Sequence, residues 1–225
     1  MSSGAGFDSF SVDTGNPEPD AALTAISQRL EWLQASKHAH NDILGDFLCD
    51  EVGNLHPIAP VLVSIANRSF GLISGFGAMV RRRNATCAYP LLRVQIDTAL
   101  RLHAFELVDD QQELLLAILD GGQINHMTSR GGKKFTDKFL HTSLSTRYPW
   151  ISRSYEEACG FVHFSKDVIN SAVDPFFSRG DDKIMSVRDE GPVWPDAYVI
   201  EALDAFIAAT KCVMDLTRDW TARKK

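Results

Sequence analysis

The sequence predicts an all-α protein, a single-domain bundle of about six helices. Three observations predict it. Apolar residues recur at helical spacing through most of the chain. Only one short stretch, KIMSVR at 183–188, alternates as a strand does. No internal repeat at a period of about 20–50 residues marks a solenoid or propeller. The 225 residues, 44% hydrophobic and 23% charged, suit one domain with a full core.

Residues 1–19 are rich in Gly, Ser, Asp and Pro and read as a disordered tail, leaving 20–222 as the bundle domain. Asp20 is the expected N-cap of the first helix, followed by Leu23, Ile26, Leu30 and Leu33. The pattern weakens at SKHAHND, 36–42, and resumes at Leu44, Phe47 and Leu48, so this is one kinked helix or two. Pro57 suits the first turn of a very apolar helix, 58–80. Gly71, Gly75 and Gly77 lie in its second half, which predicts close approach by another helix and makes 58–80 a candidate homo-oligomer interface. A helix over 85–108 follows, with Pro90 in its early part. Next come a short helix at 113–119 stopped by Gly121 and Gly122, then a loop with a short helix near 135–144. Ser152 or Ser154 is the expected cap of a helix continuing to about Val173. Prolines and glycines punctuate 176–195, a short irregular or hairpin insertion before the last helix, from Pro195 to about Trp220.

The net charge of −6 excludes a general nucleic-acid coat, which needs excess positive charge. The cysteines at 49, 87, 159 and 212 are far apart among apolar neighbours, as buried reduced thiols in a cytosol would be. The N-terminus has neither a basic start nor an apolar run, so a secretory leader is not expected and the expected location is cytoplasmic. Helix 58–80 is long enough to span a bilayer. Asn67 and Arg68 fall near its centre, however, where an arginine costs about 2.5–3.5 kcal/mol, so a bundle helix and no transmembrane segment is the reading.

The candidate site begins with LLRVQIDTALRLHAF, 91–105, where Arg93, Asp97 and Arg101 share one face of an otherwise apolar helix. If Asp97 takes up both arginines, the stripe is a structural ladder. If an arginine faces His163 across a cleft, it is an anion seat. Arg101 fits the ladder and Arg93 the seat. His163, in YEEACGFVHFS, is the candidate acid or base. Arg130, Lys133, Lys134, Lys138, Arg147 and Arg153 form a basic stretch containing one acid, Asp137. Within it, Lys133 and Lys134 beside Gly131 and Gly132 are candidate phosphate ligands, although the spacing is not that of a Walker loop. The histidines lack metal-ligand spacing and no cofactor fingerprint is present, so neither a metal nor a cofactor is expected.

YPLLRVQIDTALRLHAF and YEEACGFVHFS together resemble two helices of a family of bacterial all-helical proteins described as a domain of unknown function. That family is loosely similar to the HEPN group, which includes toxin and defence ribonucleases. The resemblance spans roughly residues 55–215 and implies that Arg93, Asp97 and His163 matter. The HEPN ribonuclease motif, an Arg, four residues, then a His, is absent: the residue five before His163 is Ala158. The basic asymmetry without a catalytic constellation points to a module that binds a phosphorylated ligand, RNA or a partner protein through Arg93, Arg101, His163 and the 130–153 loop, in stress or phage defence. The other two readings are a phosphoester hydrolase with His163 as acid or base, and a structural oligomerisation domain.

Overall fold

The computed structural model describes residues 19–45, 48, 55–163, 165–171, 187, 191–192 and 194–222. It is all-α. Eight α-helices are present among these residues: α1 (Pro19–Gly45), α2 (Ala59–Arg81), α3 (Ala85–Glu106), α4 (Gln111–Leu119), α5 (Asp137–Ser145), α6 (Trp150–Val162), α7 (Lys166–Ser171) and α8 (Asp196–Ala222). The central helix is α3, which packs against α2, α4, α5, α6 and α8, while α1 lies along α8 and α2. The alternating stretch 183–188 lies outside the described residues apart from Val187, as do most of the 176–195 insertion and residues 1–18.

α1 is one continuous helix, and it already includes Pro19, so Asp20 sits in its first turn instead of capping it. Its buried face runs through Ala22, Ile26, Leu30, Leu33, Ser36, His40 and Leu44 without a gap. The apparent weakening at 36–42 arises because two of these inward positions are polar. Ser36 gives its hydroxyl proton to the Leu33 carbonyl, 2.7 Å away. The His40 ring meets Thr217 of α8, with Nε2 3.3 Å from Oγ1. Since the Thr217 hydroxyl donates to the Val213 carbonyl at 2.8 Å, its oxygen accepts from His40, and Nδ1 is left buried without a partner. Burial, aided by the Arg218 charge, lowers the His40 pKa to about 4.

α2 carries the glycines. A Cβ at Gly75 would touch Leu91 of α3 at 3.4 Å, and one at Gly77 would meet Leu30 of α1 at 3.6 Å. The close approach predicted by these glycines is thus made by two helices of the same chain, while Gly71 faces open space. Among the described helices α2 is the one long and apolar enough to cross a bilayer, and 44% of its most apolar window is buried in the protein.

Asn84 caps α3 by accepting from the Cys87 N–H at 3.0 Å. The helix runs through Pro90, whose missing N–H leaves the carbonyl of exposed Thr86 to solvent. At its other end, Arg130 donates to the carbonyls of Glu106 (2.6 Å) and Val108 (2.9 Å), where cations suit the negative end of a helix. α4 is capped by Asp110, which accepts from Gln112 and Glu113 at 2.8 and 2.9 Å. It stops in a Schellman turn: Gly122 N–H bonds to Ala117 O, Gly121 N–H bonds to Ile118 O, and Gly121 has φ +91°. An isolated antiparallel bridge, Thr128 to Lys134, leads into α5, capped by Thr136.

α6 begins at Trp150, two residues before the nearer of the serines expected to cap it, and ends much earlier than about Val173. His163 is its C-cap residue, and the Ser165 N–H turns back to the Gly160 carbonyl at 3.1 Å before α7 starts. α8 is tied to its surroundings by Arg29–Asp204 (2.8 Å), Arg83–Asp196 (2.5 Å), Arg153–Glu201 (3.5 Å) and Arg147–Asp219. Each such half-exposed pair stabilises by about 1 kcal/mol or less, so they set which face turns inward more than they hold the fold. The core itself is apolar, with Phe76 stacked on Phe206 at 4.0 Å. Of the cysteines, Cys212 is buried, Cys159 half-buried and Cys87 exposed, the last against expectation, and Cys49 lies outside the described residues.

Gly71→Ala, on an open helix face, should raise the unfolding free energy by about 0.5–1 kcal/mol. Gly122→Ala places a Cβ 2.6 Å from both the Ala117 oxygen and the Met127 methyl, and should cost more than about 1 kcal/mol in urea unfolding. For His40 the folded pKa lies below the unfolded one, so its contribution is complete above pH 6.5 and is lost as pH falls towards about 4. Across that window the parent should lose stability more steeply than His40→Gln, by up to about 1.4 kcal/mol per pH unit. Equal slopes would show that His40 is not buried neutral.

Candidate functional site

Four helices contribute one polar cluster. α3 presents Arg93, Asp97 and Arg101 at four-residue spacing. α5 brings Asp137 in its first turn, and α6 brings Tyr155 and Cys159. α2 adds Arg68 from the side. Asp97 lies 2.7 Å from Arg101, 3.1 Å from Arg68 and 3.7 Å from Arg93. Arg93 turns mainly the other way. Its Nη2 is 2.8 Å from Asp137 and also donates to the Tyr155 hydroxyl, while Nε donates to the Cys159 sulfur at 3.3 Å. Its guanidinium carbon stands 4.0 Å over the Tyr155 ring. Tyr155 in turn donates to Asp137 at 2.9 Å, and Arg101 reaches Asp137 at 2.5 Å.

The stripe is thus neither of the two simple alternatives. Asp97 touches both helical arginines, but a second carboxylate, Asp137, shares them. Sequence reasoning noticed Asp137 only as the lone acid of a basic stretch. That oddity was the available signal, since a single acid among six cations has a charge partner by default.

The electrostatics follow from half-burial. Burial alone would raise the Asp137 pKa. Hydrogen bonds from Arg101 and Tyr155 and the charges of Arg101 and Arg93 outweigh it and hold the carboxyl below the usual range. Burial also opposes the Arg93 charge, but the Cys159 sulfur, Tyr155 and Asp97 more than compensate. For Tyr155, burial and then the bond to Asp137 push the phenol well above its ordinary value, so it stays neutral.

No protein-family model, curated protein or solved structure matches this chain.

His163 does not join the cluster. The helix ends at this residue, its side chain is exposed, and no hydrogen bond or ion pair links it to Arg93 or Arg101 among the described residues. Lys133 and Lys134 are exposed on the hairpin and make no ion pair among the described residues. The basic stretch as a whole is half structural: Arg130 caps α3, Arg147 binds Asp219 and Arg153 binds Glu157 at 2.7 Å. His141, one turn beyond Asp137, touches the cluster. Its ring stacks on Tyr155 with centroids 5.1 Å apart, and Nδ1 is 3.4 Å from the Ser152 hydroxyl. Among the described residues no group of three His, Cys, Asp or Glu side chains is placed to hold a metal.

Asp137→Asn removes charge from a carboxylate serving two arginines and should cost about 1–2 kcal/mol at pH 7, allowing for solvent screening at a side chain 38% exposed. The lowered pKa sets the sign with pH: the carboxylate stabilises above about pH 4 and ceases to as pH falls through its folded pKa. The difference between variant and parent should accordingly shrink in acid urea titrations. A gap that persists unchanged at pH 3 would show that the charge is not what matters.

Proposed function

We propose that this chain is a non-enzymatic helical binding module that seats a phosphate-bearing ligand at the mouth of the Arg68, Arg93 and Arg101 cluster. One observation carries the reading. Three guanidiniums meet two carboxylates, Asp97 and Asp137, while the intervening phenol stays neutral, which leaves one positive charge uncompensated. The Arg68 side chain is 45% exposed and that of Asp137 38%, so the excess charge is open to solvent. Arg101 Nη1 is buried beside it without a hydrogen-bond partner.

Aspartates that already orient the arginines lower the ordering cost of binding, because the guanidinium forks are held before the ligand arrives. Arg68 is held by a single 3.1 Å contact and is free to turn towards an incoming anion. Guanidinium forks match phosphate oxygens in a bidentate way that lysines cannot. The resemblance to the bacterial helical family supports placing this module in stress or phage defence. The Asp137 carboxylate beside the Tyr155 hydroxyl is already taken up by Arg93 and Arg101, which supports binding over hydrolysis.

Calorimetry with inorganic pyrophosphate and with a 5′-phosphorylated single-stranded RNA tests the proposal. Affinity should fall as salt rises, and Arg68→Ala should weaken it about tenfold while leaving thermal stability near the parent's. Arg153→Ala, an exposed arginine elsewhere, should bind as the parent does. An unaltered affinity in Arg68→Ala would sink the assignment.

A further inference from the structure

α4 reads QQELLLAIL, with apolar side chains at every position from Leu114 to Leu119. A helix that is apolar all round needs cover on all sides, yet its own chain covers it on one side only. Leu114 is buried and Leu115 and Ile118 are half-buried, whereas Leu116 is 53% and Leu119 70% exposed. The Met127 methyl lies where a Gly122 Cβ would stand, which seats the following hairpin against the C-terminal turn of α4. The two leucines and the hairpin therefore belong to one end of the molecule.

The rim of this face carries both signs. Asp109, Glu113 and Asp120 are exposed on the α4 side, and Asp109 has only a loose 3.7 Å contact with Arg130. Lys133, Lys134 and Lys138 are exposed on the hairpin side and have no ion-pair partner among the described residues. An anionic surface would be repelled by the first set and a basic peptide by the second. A surface with an apolar centre, an acidic flank and a basic flank is complementary to itself under a two-fold axis.

We infer that α4 and the hairpin closed by the Thr128–Lys134 bridge form the contact of a homodimer, with Leu116 and Leu119 at its centre and the lysines of one copy facing the acids of the other. This contact is separate from helix 58–80, whose Gly75 and Gly77 face α3 and α1. This inference is independent of the arginine cluster and assigns Lys133 and Lys134 to association. Stable interfaces cover about 800 Å² per partner. One nine-residue helix with its hairpin falls short of that, so the dimer is weak and concentration-dependent.

Sedimentation velocity on the full chain from roughly 1 to 200 µM tests it, since association of this strength lies in that range. The parent should shift from monomer to dimer. Leu116→Asp with Leu119→Asp should stay monomeric with an unchanged helical circular dichroism spectrum. Lys133→Glu with Lys134→Glu should associate about tenfold more weakly, and mixing it with Glu113→Lys and Asp120→Lys should restore a mixed dimer. A parent that stays monomeric throughout, or a dimer indifferent to the two leucine substitutions, overturns the inference. Binding of the monomer to anionic vesicles through the same leucines would also overturn it, in favour of a membrane contact.

Discussion

The burial of α3 is the constraint on which the rest of this structure depends. Five other helices pack against it, so Arg93, Asp97 and Arg101 cannot be hydrated as they would be on a surface helix. A half-buried arginine without a counter-charge is costly, and a half-buried carboxylate no less so. The surrounding helices are arranged to supply what water does not. α5 delivers Asp137 with its first residue, α2 delivers Arg68, and α6 delivers a phenol and a thiol. The interlocked bonds fix the orientation of α5 and α6 against the central helix more sharply than apolar packing could, because hydrogen-bond geometry is directional.

A second polar layer repeats this logic deeper in the bundle. The Gln95 amide of α3 donates to hydroxyls of Ser69 on α2 (2.8 Å) and Thr210 on α8 (3.1 Å), while His40 joins α1 to α8. Neither is fully satisfied, since the Gln95 carbonyl oxygen and His40 Nδ1 have no partner. Such groups lower stability relative to an apolar core, but they penalise any register in which the hydroxyls do not meet the amide. Four long helices with similar apolar faces gain a unique alignment in this way.

The chemistry of the arginine cluster follows from counting charges in a place where charge is poorly screened. Two aspartates hold three arginines, and the tyrosine between them remains neutral. A cluster of this composition holds its donors in place and still attracts an anion. His163, by contrast, is exposed at the end of α6 and has no hydrogen bond or ion pair to Arg93 or Arg101 among the described residues. The ring that does approach the cluster belongs to His141, which the sequence pattern had not distinguished from the chain's other histidines.

What the sequence by itself determined is the local order: the all-α class, the place of most helices, the Gly121–Gly122 stop and the charged stripe on 91–105. These depend on periodicity, caps and backbone freedom within one or two turns, which neighbouring residues set. The same reasoning left α1 as one kinked helix or two, because a polar residue facing inward looks, in sequence, like a break in the apolar face. It also carried α6 past its true end, since the turn at His163 is closed by a bond from Ser165 back to Gly160 that periodicity does not reveal. Only the tertiary structure decided which acid each arginine meets. Asp137 lies 36 residues from Arg101 and 44 from Arg93 along the chain, and no spacing rule reaches that far. Pairing at that distance is decided by how helices pack, because a half-buried charge takes whichever partner the packing brings within reach.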